Sequence, residues 1–136
     1  MPGVAEFVEF PDVEAALVSY LKVTLAERGD TAKVATKVPN PRPARLVRLV
    51  RAGGLQRDRA TDRPRVVLEC WEATEPAAAA LAKRVRAMIA GAAPGYVGGV
   101  WCDQVDDAGL AFSPDPDTAT PRYLITAELH VTGSAV

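Results

Sequence analysis

Arg122-Tyr123-Leu124-Ile125-Thr126-Ala127-Glu128-Leu129-His130-Val131-Thr132 is the stretch whose reading decides the class of fold. Tyr123, Ile125, Ala127, Leu129 and Val131 recur at every second position, and Arg122, Thr126, Glu128, His130 and Thr132 stand between them. An extended chain places alternate residues on opposite faces, so the stretch reads as a strand. One face is apolar and belongs to a core. The other is polar, and His130 is expected there in solvent. Such a strand needs neighbouring strands, and its apolar face needs a second layer.

Two helices supply that layer. Thr74 can accept from the free N–H groups of an opening turn, and Pro76 sits where its missing N–H does no harm. Ala78, Leu81, Ala82, Val85, Met88 and Ile89 then line one face, before Gly91 and Pro94 end the run. Lys83, Arg84 and Arg86 are expected to suit the negative end of the helix dipole. The other helix opens near Asp12, carries Val13, Ala16, Leu17, Tyr20, Leu21 and Leu25 on one stripe, and stops at Gly29. Residues 1–11 form a lead without periodicity.

Residues 32–38 read as a short strand, with Val34, Thr36 and Val38 facing opposite to Lys33, Ala35 and Lys37. Pro39-Asn40-Pro41-Arg42-Pro43 is a stiff, extended connection. Arg45, Arg48 and Arg51 recur every third residue, as on a helix, but residues 45–51 are too few for a stable one, so a strand is expected. A polar loop over residues 53–63 leads to residues 64–72, where Val66, Val67, Leu68, Cys70 and Trp71 make a strand buried on both faces. Residues 97–105 are a further strand, weakened by Gly98-Gly99, and residues 106–121 a Pro/Asp-rich loop. The expectation is α+β: one domain over residues 1–136, in the order α-β-β-β-α-β-β. A mostly antiparallel sheet of four to five strands carries both helices on one face.

A chain of 136 residues suits one self-sufficient core. Its 49% hydrophobic and 24% charged residues are those of an ordinary globular protein, and a net charge of −1 creates no overall field favouring nucleic acid or anionic membrane. Cys70, Cys102 and His130 have no partners at metal-ligand spacing, so two buried, reduced thiols are expected and no zinc site. There is no basic region followed by an apolar run at the N-terminus, and no membrane-spanning apolar run, so neither a signal peptide nor a span is expected.

The chemistry-bearing patterns are few. No nucleophile motif accompanies His130, and neither G-x-G-x-x-G nor G-x-x-x-x-G-K-[ST] occurs, which leaves Gly53-Gly54 and Gly98-Gly99 as turn or bulge residues. Asp103, Asp106 and Asp107 could gather a divalent ion, but only Glu128 follows them on the next strand and the calcium-loop pattern is missing. They read as a solvated acidic edge. No enzyme and no cofactor are expected.

Charge is the one suggestive pattern. Over residues 42–65 eight arginines stand against Asp58 and Asp62, a local balance of +6, whereas residues 103–128 carry a balance of −5. Three readings of the arginine segment are open: an exposed hairpin kept soluble by charge, a phosphate-binding surface, or a protein–protein surface in which arginines meet carboxylates. The segment has no aromatic residue for base stacking, and the acidic block favours the third reading over the second.

Three stretches resemble one family. They are Thr36-Lys37-Val38-Pro39-Asn40-Pro41-Arg42-Pro43, then Thr61-Asp62-Arg63-Pro64-Arg65-Val66-Val67-Leu68-Glu69-Cys70-Trp71, and Pro121-Arg122-Tyr123-Leu124-Ile125-Thr126-Ala127-Glu128-Leu129-His130-Val131. With the opening Phe10-Pro11-Asp12-Val13-Glu14, their order and spacing look like the tail-terminator proteins of siphophages infecting high-GC actinobacterial hosts. Abundant alanine and an excess of arginine over lysine, 12 against 4, fit a GC-rich genome.

The resemblance implies a structural virion protein assembling as a six-membered homo-oligomeric ring. Such a ring would bind the last ring of the major tail tube protein, block further addition and present its other face to head-completion proteins. Nucleic acid would meet it only by passing through the lumen. The location implied is the neck end of the virion tail, and the host cytoplasm during assembly. The family carries no catalytic residues to transfer. A closed ring needs unlike, complementary surfaces. The expected candidates are Arg45, Arg48, Arg51, Arg57, Arg59 and Arg63, as one subunit surface or the tube-facing one, against Asp103, Asp106, Asp107, Asp115 and Asp117. Competing readings are another neck protein, such as a head–tail connector or tail-completion protein, and a nucleic-acid-binding module.

Overall fold

The computed structural model describes residues 7–136; the opening six residues of the expected lead lie outside the described part. In chain order the elements are β1 (Val8–Glu9), α1 (Val13–Glu27), β2 (Lys33–Ala35), β3 (Leu46–Arg51), β4 (Thr61–Asp62), β5 (Arg65–Trp71), α2 (Glu75–Ala90), β6 (Gly95–Val97), β7 (Val100–Phe112), β8 (Arg122–Thr132) and β9 (Ser134–Ala135).

The fold is α+β. Its main sheet runs β2-β3-β5-β8-β7-β6, with β4 also pairing β8, and every pairing is antiparallel except β2 with β3. The centre is the alternating strand quoted above. β8 holds β5 in an unbroken register from Arg65↔Glu128 to Trp71↔Arg122, and β7 on its other side. β4 is the same edge of β8 taken up earlier: Thr61 pairs Thr132, and Pro64, which has no N–H to give a ladder, stands between the two pieces. β1 and β9 form a separate two-stranded sheet, so the expected featureless lead contains paired backbone at Val8 and Glu9.

Period-two burial follows from the register. Val47, Leu49, Val66, Leu68, Cys70, Ile125, Ala127, Leu129 and Val131 point to one face and are essentially inaccessible. Onto that face pack Leu17, Leu21 and Leu25 of α1 and Leu81, Val85 and Ile89 of α2. A buried Leu-sized side chain contributes about 1.5–3 kcal/mol relative to exposure, so this layer dominates stability. The caps are those expected: Asp12 accepts from the Ala15 N–H at 3.1 Å, and Thr74 from the Ala77 N–H at 3.3 Å. No basic residue lies in the last turn of α2, however. Arg84 and Arg86 stand one turn too early and pair with Asp30 and Asp107 instead.

The main sheet has seven strands where four to five were expected, and β4 lies inside the expected polar loop over residues 53–63, held by its pairing with the end of β8. Three further boundaries differ from expectation. β2 stops at Ala35, because Thr36 and Lys37 bend away and the Thr36 carbonyl accepts from Arg48 Nε at 3.1 Å. Gly98-Gly99 is the two-residue turn between β6 and β7, both glycines at positive φ, rather than a weak spot within one strand. β7 continues to Phe112, through half of the expected loop, with shifts of register between Cys102 and Gln104 and between Asp107 and Gly109. Each shift absorbs an extra residue, so a strand persists where Asp106, Asp107 and Gly109 argue locally against one.

Candidate assembly surface

One face of the sheet carries no helix. It presents the alternate residues of β3, β5 and β8, Arg48 among them, whereas Arg45 and Arg51 share the parity of Val47 and Leu49 and turn to the helix-bearing side at the two ends of β3. Arg48 lies directly opposite Glu69, 3.1 Å away, and Arg122 approaches the same carboxylate to 3.8 Å from the other flanking strand. One residue-pair further on, Trp71 is buried between two guanidinium groups, with Arg42 at 4.9 Å and Arg122 at 5.3 Å from its ring centroid. Arg45 reaches both Glu72 and Asp30; it is 2.7 Å from the Asp30 carboxylate, which Arg84 of α2 also contacts. At the far end Arg51 pairs with Asp62 at 2.9 Å, while its backbone N–H donates to Glu14 at 2.7 Å. Arg63 and Arg65 flank Glu128 at 3.7 and 3.9 Å. The Arg57 guanidinium lies 3.7 Å from its neighbour Asp58, and Arg59 lies exposed in the same loop.

The complement was expected between neighbouring copies; within one chain the arginines have carboxylate partners of their own. Arg45, Arg48 and Arg51 are engaged by Asp30, Glu72, Glu69 and Asp62, none of which belongs to the acidic block. The +6 of the segment is largely neutralised locally, because neighbouring strands bring carboxylates opposite the guanidinium groups. Sequence reasoning missed those partners. Glu69 and Trp71 stood in a quoted motif, yet only the β3–β5–β8 register makes them the centre of the arginine array.

The acids divide similarly. Asp107 makes a two-pronged pair with Arg86 at 2.9 and 2.6 Å, and these hydrogen bonds hold its carboxyl below the usual range. Asp106 meets His130 Nε2 at 2.7 Å. Asp103 accepts from the Trp101 indole at 2.6 Å, and no ion pair reaches it among the described residues. Asp115 and Asp117 organise the turn after β7: the Asp117 N–H donates to Asp115 at 2.9 Å, which lowers the Asp115 pKa. The five acids thus occupy one strand and the turn that follows it.

His130 corrects an expectation. It lies on the polar face of β8 but is buried, because β7 extends alongside and the loop before β4 returns to β8, where the Gly133 N–H donates to the Ala60 carbonyl at 3.0 Å. Its Nδ1 has no hydrogen-bond partner among the described residues. Asp30 is held by several partners at once. Burial opposes its ionisation, but the Ala32 N–H and the guanidinium groups of Arg45 and Arg84 outweigh that, and its carboxyl sits below the usual range.

Among the described residues no group of three or more His, Cys, Asp or Glu side chains is placed to hold a metal ion. Several concavities are open grooves. One, of about 450 Å³ beside Tyr20, Arg28, Arg84 and Met88, lies between the two helices; others of about 490 and 660 Å³ flank β2. Cys70 and Cys102 are both buried and unpaired, and burial pushes the Cys70 thiol up to about 12. No described helix is long and apolar enough to cross a membrane. No protein-family model matches the chain, and no curated protein matches it significantly.

Proposed function

We propose that this chain is a structural virion protein: a ring-forming tail terminator that caps the tail tube of a long-tailed phage, stops its polymerisation and provides the surface for head joining. The observation that carries this reading is the ordered set of three motif stretches, which resembles that family over nearly the whole chain. In the fold these stretches are the connection after β2, the β4–β5 strand and β8. A curled sheet under two helices, with charged, half-exposed flanks and open strand edges, suits a subunit that acts by fitting against other proteins. The partners proposed are further copies of the chain, the major tail tube protein and head-completion proteins.

Electron microscopy of virions made without the gene tests the reading. Overlong tails are the expected result; normal tails unattached to heads would assign the chain to head–tail joining instead. A purified preparation added to polymerising tube protein should likewise shorten the tubes. The nucleic-acid alternative is weakened by the engagement of Arg45, Arg48 and Arg51 with carboxylates. Its signature would be a DNA affinity falling steeply between two salt concentrations.

A further inference from the structure

The two margins of the main sheet differ in charge: acids line the open edge of β7, whereas lysines flank β2, where the nearby Asp12 and Glu14 are engaged by the Ala15 and Arg51 N–H groups. On one side β6 covers β7 only as far as Cys102, and over residues 103–112 no strand pairs with the outer edge of β7 among the described residues. At about 3.3 Å per residue this is roughly 33 Å of open backbone. It carries Asp103, Asp106 and Asp107, of which Asp107 pairs with Arg86 and Asp106 with His130. On the other side β2 is the terminal strand, and Lys33 on it, Lys37 just beyond it and Lys22 on the adjoining helix bring three of the chain's four lysines together. Unlike most of the arginines, these lysines meet no carboxylate within ion-pair distance among the described residues.

Charges and bulges on an edge strand ordinarily keep copies of a protein from pairing. Here the signs differ between the margins. Two β7 edges repel and two β2 edges repel, whereas β7 of one copy attracts β2 of another. Apolar surface adjoins both. Phe112, 44% exposed, stands at the end of β7, and Ala26, Ala32, Val34, Pro39 and Pro43 line the groove of about 660 Å³ beside β2. We propose that copies of this chain join head to tail, with the acidic β7 edge of one against the lysine-bearing β2 edge of the next. The contact is heterologous, as a closed ring requires; only its closure on a tube rests on the terminator reading above.

Particle mass by light scattering across a concentration series tests the contact, with circular dichroism confirming that each variant folds. The probes are Lys33→Glu with Lys37→Glu, and Asp103→Lys with Ala108→Lys; all four positions are exposed. Each double variant alone should self-associate at least about tenfold more weakly than the parent, a modest effect for two altered charges. An equimolar mixture should recover assembly, because acidic β2 edges then meet basic β7 edges. The proposal is overturned if the parent stays monomeric up to roughly 1 mM, if both variants associate like the parent, or if the mixture does not recover. A dimer insensitive to the lysine changes would also overturn it, in favour of a twofold contact elsewhere. If association follows the charges but the parent leaves tube length unchanged, the capping reading fails and the edge contact stands. If a variant that associates like the parent also caps tubes, the edge contact fails and the capping reading stands.

Discussion

Asp30 ties three elements together, since one carboxylate just after α1 meets Arg45 at the start of β3 and Arg84 on α2. Its side chain is 1% exposed, so removing its charge leaves two guanidinium groups facing a buried amide. Asp30→Asn should cost about 1–3 kcal/mol in urea unfolding at neutral pH. The pH dependence has a definite sign. The folded pKa lies below the ordinary value, so this stabilisation is present above about pH 4 and is lost as pH falls through the folded pKa. Melting temperatures of parent and Asp30→Asn should therefore converge on acidification from neutrality. Cys70 offers a second check. Buried, with its pKa pushed up to about 12, it should react with a disulfide reagent only at the rate of unfolding. Fast labelling at Cys70 in the native protein, located by peptide mapping against Cys102, would contradict its position under the helices.

At the scale of elements, the β6–β7 turn shows how closely the sheet curls toward α1. A Cβ on Gly98 would sit 2.3 Å from the Ala16 carbonyl oxygen, and the residue's φ of +53° is one that side chains other than glycine rarely adopt. Gly98→Ala should destabilise by about 1–3 kcal/mol and should loosen Val97 and Cys102, seen as faster amide exchange along β6 and the start of β7. Gly99→Ala, whose Cβ would meet nothing within 4 Å, isolates the backbone contribution and should cost less. The cross-strand arginines make a different prediction. Arg48 and Glu69 are registered partners with side chains 29% and 13% exposed, so Arg48→Glu places like charges opposite each other. Lower thermal stability, rather than a changed particle mass in a folded protein, is the expected result. A folded, equally stable Arg48→Glu variant that fails to assemble would instead place this arginine at a subunit interface.

For the whole molecule, stability resides in one apolar layer between the sheet and both helices. Leu68 is at its centre, inaccessible and registered against Leu49 and Ile125. Leu68→Ala should cost about 2–5 kcal/mol in chemical denaturation, whereas surface changes at Lys33 or Asp103 should leave stability nearly unaltered. That separation makes the assembly experiment interpretable, because the residues proposed to join copies are not those that hold the subunit together.

The period-two run in β8, the caps at Asp12 and Thr74 and the apolar stripes of both helices were legible in the chain alone, because each is a local pattern spanning a few residues. They determined the α+β class and the two-layer core. What carries charge across the surface was not legible. Arg45, Arg48 and Arg51 form a basic block as a string of letters, but antiparallel pairing sets Glu69 opposite Arg48, and loop return brings Asp30 and Asp62 to the other two. His130 obeyed the alternation and was still buried, since burial depends on what lies beside a strand as well as on which face a residue occupies. Helix and strand periodicity express the geometry of a single chain segment. Neutralisation and open edges depend on distances between segments far apart in sequence, which only the packed sheet decides.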